Sequence, residues 1–352
     1  MKILIVKLSS IGDVIHTLPV LPAIRKALPD AEISWIVEKS SAEVLRDNPL
    51  ISRLIEIDTK SLRRKQNFRS ALPKAGKQLR NLRAAKFDAA IDFQGLLKSA
   101  TIAKISKAAH RYGFSKETLR EPASRFLLTE TFDVPENVNI VRKNLALVQK
   151  ALRISVPEND FEYPVFAKPE HAAEAAEIIR LAGDNFAILN PAAGWVTKLW
   201  HAEKFGRLAD KLWEEFGLTS VVTTAPNERG LAAKVLESSK SGKIIAATPS
   251  LKGFYELAKR TRVYIGNDTG PTFLAIAAKA PIVSVFGPTE WWRNGSPNED
   301  DIGIERDDIP CRVNCHRRAC SNWICMDIPV ETVLEAVGRR IKIAEDKEVK
   351  IG

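Results

Sequence analysis

The chain has 352 residues, more than a single hydrophobic core usually supports, so two domains are expected. Its 53 basic and 43 acidic residues leave a net charge of +10, which favours an anionic partner without choosing among a membrane surface, a nucleic acid and a phosphorylated substrate. The 4 cysteines all fall between Cys311 and Cys325, unlike the spread of a disulfide-held secreted fold, and no apolar run is long enough to cross a bilayer.

The opening run KILIVK reads as a buried strand. Lys7 interrupts it and no small-residue cleavage site follows, so a cytosolic chain without a secretory leader is expected. The strand empties into Ser9, Ser10, Ile11, Gly12 and Asp13, and a helix is read from Asp13 to Leu28. Pro19 and Pro22 should kink or divide it, because each lacks a donor and clashes backward. ISWIVE and LIEID read as the next strands, FDAAIDFQG as strand plus turn, and LLKSATIAKISKAA as a helix. The rhythm resumes after Pro164 and Pro169. FAILNPAA, TSVVTT, GKIIAA, RVYIGND and PIVSVFG read as strands, HAEKFGRLADKLWEEFG as an amphipathic helix, and a last helix spans about Pro329 to Ile343. Strands alternating with helices imply mostly parallel sheets covered on both faces. The expected domains are 1–168 and 169–328, with 329–352 a terminal helix returning to the first domain. Two such sheets present a cleft at the carboxyl ends of their strands.

Several segments could carry chemistry. Ser9, Ser10 and Asp13 suit a helix cap. The same Asp13 could be a general base, with small residues at Ser9, Ser10 and Gly12 leaving room for a substrate. His16 lies one turn later and reads as a partly buried structural histidine that could share that face. From Thr59 to Phe87 the basic residues Lys60, Arg63, Arg64, Lys65, Arg69, Lys74, Lys77, Arg80, Arg83 and Lys86 meet no acid. A solvated helix usually mixes signs, so this block suggests an anionic ligand or a membrane surface, although a solvated face stays open. Phe68 alone is a poor aromatic platform for nucleic acid. GxGxxG is missing after the first strand, which argues against a dinucleotide enzyme.

In the second half, Lys198 ends the strand-to-loop segment NPAAGWVTKLW and could meet a phosphate or only solvent. A strand ends at Asp268, Thr269 and Gly270, where a helix starts at Pro271; free amides there bind phosphate, and Asp268 or Thr269 could equally be a cap. Gly287, Pro288 and Thr289 repeat the turn, making a candidate diphosphate cradle. Cys311, Cys315, Cys320 and Cys325 stand at gaps of three, four and four residues, with His316 among them. Structural zinc, reduced packed thiols and a local disulfide are the alternatives there.

ILIVKLSSIGDVIHTLPVL, FDAAIDFQGLLKSA, REPASRFL and GNDTGPTFLAIAA with VSVFGPT together resemble the bacterial lipopolysaccharide heptosyltransferases, especially those adding the first inner-core heptose. The resemblance covers most of the chain. It implies a GT-B α/β fold of two Rossmann-like domains, with acceptor on the first and ADP-heptose mainly on the second. It implies inverting, metal-independent transfer of heptose from ADP-L-glycero-D-manno-heptose to Kdo-modified lipid A. Carried over residue by residue, it makes Asp13 the base, Lys198 a donor-phosphate ligand and Asp268, Thr269 and Gly270 the donor segment. Glu228 matches an acid holding the nucleoside, and Arg120 a basic residue on the acceptor side. It also implies a monomer at the inner face of the inner membrane, with a nucleotide sugar and an anionic lipid as partners and no nucleic acid. The chain departs from the family where a histidine usually follows Asp-Thr-Gly by three positions; Phe273 stands there. A related transferase using another nucleotide sugar or core acceptor, and a non-catalytic nucleotide-sugar binder, are the alternative readings.

Overall fold

The computed structural model describes residues 1–59, 80–116, 119, 121–311, 315 and 317–351. The chain divides into two compact units, Met1–Phe166 and Ala167–Gly352.

The first unit is built on one parallel sheet. Its strands are β1 (Lys2–Val6), β2 (Glu32–Glu38), β3 (Arg53–Ile57), β4 (Ala89–Asp92), β5 (His110–Phe114) and β6 (Glu130–Phe132), in the order β3-β2-β1-β4-β5-β6. Ile3, Leu4, Ile5 and Val6 are wholly buried, as a strand covered on both faces requires. The first helical stretch is divided at its prolines: α1 (Ile11–Ile15) stops before Pro19, and α2 (Val20–Ala27) starts after it. Pro22 falls in the first turn of α2, where a missing N–H leaves no helix bond unmade. Helices α3 (Leu97–Ile105) and α4 (Ile140–Leu152) follow, the latter capped by Asn139, whose side chain accepts the Val141 N–H.

The second unit repeats the plan. It has α5 (Pro169–Ala182), β7 (Phe186–Asn190), α6 (Ala202–Phe216), β8 (Thr219–Thr223), α7 (Arg229–Glu237), β9 (Ile244–Ala247), α8 (Leu251–Ala258), β10 (Val263–Asn267), α9 (Gly270–Ala277), β11 (Ile282–Val285), α10 (Trp291–Asn294), β12 (Ile302–Ile304) and α11 (Val330–Ile351). Its sheet runs β12-β11-β10-β7-β8-β9, again all parallel. Gly206 lets α6 close on α7: a Cβ there would stand 2.5 Å from the Val235 carbonyl oxygen.

Two details differ from the sequence reading. Helix α11 reaches Ile351, well past Ile343. Its Val333, Leu334, Ala336, Val337 and Ile341 belong to the second unit's hydrophobic core, together with Phe205, Leu208 and Leu212 of α6. Residues 330–341 are therefore built into the second unit's core.

Candidate active site

In each sheet the strand order reverses direction between the unit's first and fourth strands, β1 and β4 in one unit and β7 and β10 in the other. Ligands of open α/β sheets bind outside the carboxyl ends of the strands at that switch point. The sequence places its small and charged residues there in both units.

At the first switch point Lys7 follows β1. It is 4% exposed, its ammonium donating to the Phe93 carbonyl at 2.9 Å and lying 3.6 Å from Asp13 Oδ1. Asp13 Oδ2 accepts the Ser10 N–H at 2.7 Å and the Ser10 hydroxyl at 3.0 Å. The Asp13 side chain nonetheless keeps 41% of its surface exposed. Crowding pushes its pKa up, but Lys7, the Ser10 amide, the nearby His16 and the Ser10 hydroxyl together outweigh that and hold it below the ordinary aspartate value. Asp13 thus closes the start of α1, while its side chain stays partly exposed beside a buried cation. Gly12 and His16 are buried and Ser10 is exposed.

The other half of this switch point escaped the sequence reading. Asp92, paired in register with Val6, is 1% exposed. Its carboxylate accepts the amides of Gln94 (2.9 Å) and Gly95 (3.3 Å) and the Ser99 hydroxyl (2.9 Å). Burial dominates all the same and pushes its pKa up to about 6. The turn it organises presents Phe93 to Lys7, and Gln94 Oε1 to the amides of Leu8 (3.1 Å) and Ser9 (3.3 Å). One signal was available: a lysine ending an apolar strand must find a partner once buried.

At the second switch point Lys198 forms an ion pair with Asp268, with 13% and 6% of their side chains exposed. Thr289 donates to the same carboxylate oxygen, so the turns after β10 and β11 are tied together. The Lys198 ammonium also lies 4.4 Å from the centre of the Trp195 ring. Behind them, buried Asn267 accepts the Trp200 N–H at 3.1 Å and donates to the Pro191 carbonyl at 2.9 Å, fastening the β7 loop to the end of β10. Thr269 is the residue before α9, and Gly270 and Pro271 open that helix, so its first amides are available to an anion. The structure therefore brings Lys198, Asp268, Thr269, Gly270 and Thr289 together, with Gly287 and Pro288 buried in the same turn. Glu228 stands one strand away, after β8, its carboxylate accepting the Ala225 N–H at 3.0 Å. Phe273 is 6% exposed. Lys60, Arg63, Arg64 and Arg120 lie outside the described residues.

The profile of glycosyltransferase family 9 (heptosyltransferase) matches residues 76–322. The chain belongs to that family. Among family 9 relatives it is 28% identical to lipopolysaccharide heptosyltransferase 1 of Pseudomonas aeruginosa, covering 91% of this chain and 88% of that one. It is 27% identical to the Escherichia coli K12 protein of the same name, over 82% of this chain and 89% of the other. Its structure is similar to that of the E. coli heptosyltransferase WaaC with ADP (TM-score 0.79, 23% identity, 97% of this chain and 100% of that one). It is also similar to that of E. coli ADP-heptose lipopolysaccharide heptosyltransferase II (TM-score 0.75, 18% identity, 98% and 100%). The GT-B fold expected from the sequence is thus borne out, with two parallel six-stranded sheets. Among the described residues no helix is long and apolar enough to cross a membrane. Nor is any group of three or more His, Cys, Asp or Glu residues among them arranged to hold a metal ion.

Proposed function

We propose that this family 9 glycosyltransferase transfers heptose, with inversion, from ADP-L-glycero-D-manno-heptose to a Kdo-modified lipid A acceptor in lipopolysaccharide inner-core synthesis. The observation that carries the reading is the pair of switch points. One offers a carboxylate held ionised yet accessible, and the other a lysine and a free helix N-terminus suited to a diphosphate. The names of the relatives supply the sugar and the pathway.

In this mechanism an acceptor hydroxyl attacks the anomeric carbon of the donor as the bond to the departing phosphate oxygen breaks. ADP leaves with the bonding electron pair. Lys198 and the backbone N–H groups of Thr269 and Gly270 offset the charge that grows on the diphosphate, where preorganised donors count most. Asp13 takes the hydroxyl proton. A carboxylate held below its ordinary pKa is a weak base, but the hydroxyl turns strongly acidic as the new bond forms, so a late proton transfer suffices. Ser9, Ser10 and Gly12 leave the approach to Asp13 narrow in side-chain bulk. Glu228 is assigned to the nucleoside. Lys60, Arg63, Arg64 and Arg120 are assigned to acceptor phosphates, and the basic block to the inner face of the inner membrane, where the chain works as a peripheral monomer.

Phe273 favours one second reading. A buried ring cannot supply the hydrogen bonds of the family's usual histidine, which opens the site to a different nucleotide sugar. Incubating purified protein with ADP-, UDP- and GDP-sugars and Kdo-lipid A, with products read by mass spectrometry, separates the two. Transfer from ADP-heptose supports the first reading. Transfer only from another donor overturns it and leaves the second.

A further inference from the structure

The Lys198 ammonium is already matched by the Asp268 carboxylate. A nucleoside diphosphate carries negative charge on both phosphates. The cradle after β7, β10 and β11 therefore meets it with backbone N–H groups and a cation that is largely neutralised within the protein.

The segment 317–325, between β12 and α11, takes no part in the mechanism above, yet it is fastened against that cradle. The hydroxyl of Thr197, the residue before Lys198, donates to the Arg317 carbonyl at 2.6 Å, and Trp323 Nε1 donates to the Thr197 carbonyl at 3.1 Å. The Trp323 ring packs against that of His201, with centroids 5.1 Å apart. At the other edge, the Cys325 sulfur lies 3.1 Å from where a Cβ on Gly287 would sit. One short segment is thus pinned both to the turn that carries Lys198 and to the turn after β11.

Its two adjacent arginines go different ways. Arg317 lines a cavity with the four free cysteines. Arg318 places its guanidinium carbon 5.2 Å from the centre of the Trp195 ring, the same ring that has the Lys198 ammonium 4.4 Å from its centre. Arg318 is exposed, and among the described residues no carboxylate pairs with it. The two cations stand within about 10 Å of each other, the screening length at 0.1 M salt, so they repel. A tryptophan face attracts one cation readily. Two gathered on one ring, only one of them with an acid, form an arrangement that an anion stabilises. A guanidinium fork also matches phosphate oxygens in geometry, and it keeps its charge at any working pH.

We propose that Arg318 is a further donor-binding residue, its guanidinium reaching past the Trp195 ring to a phosphate oxygen of the nucleoside diphosphate seated on Lys198 and the Thr269 and Gly270 N–H groups. It brings the unpaired positive charge that the Lys198–Asp268 pair does not. Trp195 is the platform that keeps the two cations beside one another, and the contacts of Thr197 with Arg317 and Trp323 fix the approach of the segment. The inference rests on the reading that this cradle takes the donor's diphosphate, whichever sugar is attached to it.

Calorimetry on the full-length chain, with ADP and with adenosine as ligands, tests the proposal. Arg318→Ala should keep the wild-type thermal midpoint and bind adenosine normally. It should bind ADP about tenfold more weakly, the size of one charge-assisted hydrogen bond. Arg318→Lys should recover part of the loss. Unchanged ADP affinity in Arg318→Ala, beside a clear loss in the Lys198→Met, Asp268→Asn double variant, would overturn the role of Arg318 and leave the diphosphate cradle standing. A loss for ADP and adenosine alike, not recovered by lysine, would make Arg318 a structural residue and overturn the proposal as well. Unchanged ADP affinity in the double variant too would remove the cradle itself.

Discussion

Lys7 and Asp13 face each other at 3.6 Å across the end of β1, the lysine buried and the carboxylate half open to solvent. The pair explains how an acid placed to cap a helix is also kept charged and available. Lys7 cannot swing away, because its ammonium is anchored on the Phe93 carbonyl.

The first prediction follows from that anchor. Asp13 is held below the ordinary aspartate range, so its ionised form persists throughout neutral pH and is lost only as pH falls through the depressed value. Lys7→Met removes the largest lowering influence while crowding remains. The acid limb of the kcat/KM profile should therefore move to higher pH in the variant, with the plateau reduced less than the acid limb. An unmoved limb would separate Lys7 from Asp13.

Asp92 gives a prediction of opposite sign. Its folded-state value of about 6 lies above that of an unfolded aspartate, near ~3.9. The stability contributed by its protonated form is present below the unfolded value and is lost as pH rises through about 6. Asp92→Asn keeps an acceptor for the Gln94 and Gly95 amides and cannot ionise. Urea unfolding should show a flatter pH dependence in the variant between acid and neutral pH, the two curves diverging by up to ~3 kcal/mol.

The Lys198–Asp268 pair predicts a fold cost separable from a ligand cost. Lys198→Ala leaves a carboxylate that is 6% exposed without its cation, which should destabilise the protein by about 3–5 kcal/mol. Lys198→Met combined with Asp268→Asn removes both charges and should recover most of that loss. Calorimetry should still find ADP binding weakened in the double variant, because the phosphate has lost its lysine.

How much of this was legible in the sequence depends on residue type. The strands were readable because double-sided burial makes near-continuous apolar runs such as ILIV and VYI, and Asp13, Lys198 and Asp268 because they stand where those runs stop. Strand β12, only Ile302–Ile304, is too short to show a pattern, and β5, His110–Phe114, carries His110, Arg111 and Tyr112 at a partly exposed end. Asp92 was hidden inside FDAAIDFQG, where nothing local distinguishes a buried acid from a turn residue. Its place beside Val6 is set by strand pairing, a long-range fact. The link from Thr289 to Asp268 likewise requires that β10 and β11 be neighbours.

Gly206 supplies a prediction about packing alone. A methyl group there would press on the Val235 carbonyl at 2.5 Å and the Ser238 Cβ at 2.6 Å, neither of which can swing aside as a flexible side-chain end does. Gly206→Ala should lower the urea midpoint, costing about 1–3 kcal/mol, as overpacked cores do. Transfer by the folded fraction should keep its KM values.

The central claim, that Asp13 is the base of the transfer, is tested most directly by Asp13→Ala assayed for ADP-heptose turnover on Kdo-lipid A alongside ADP binding. The account predicts a fall in kcat of roughly 10²–10⁴-fold with ADP affinity unchanged, the range expected for losing a general base. Turnover at the wild-type rate, in a variant that binds ADP normally, would contradict it.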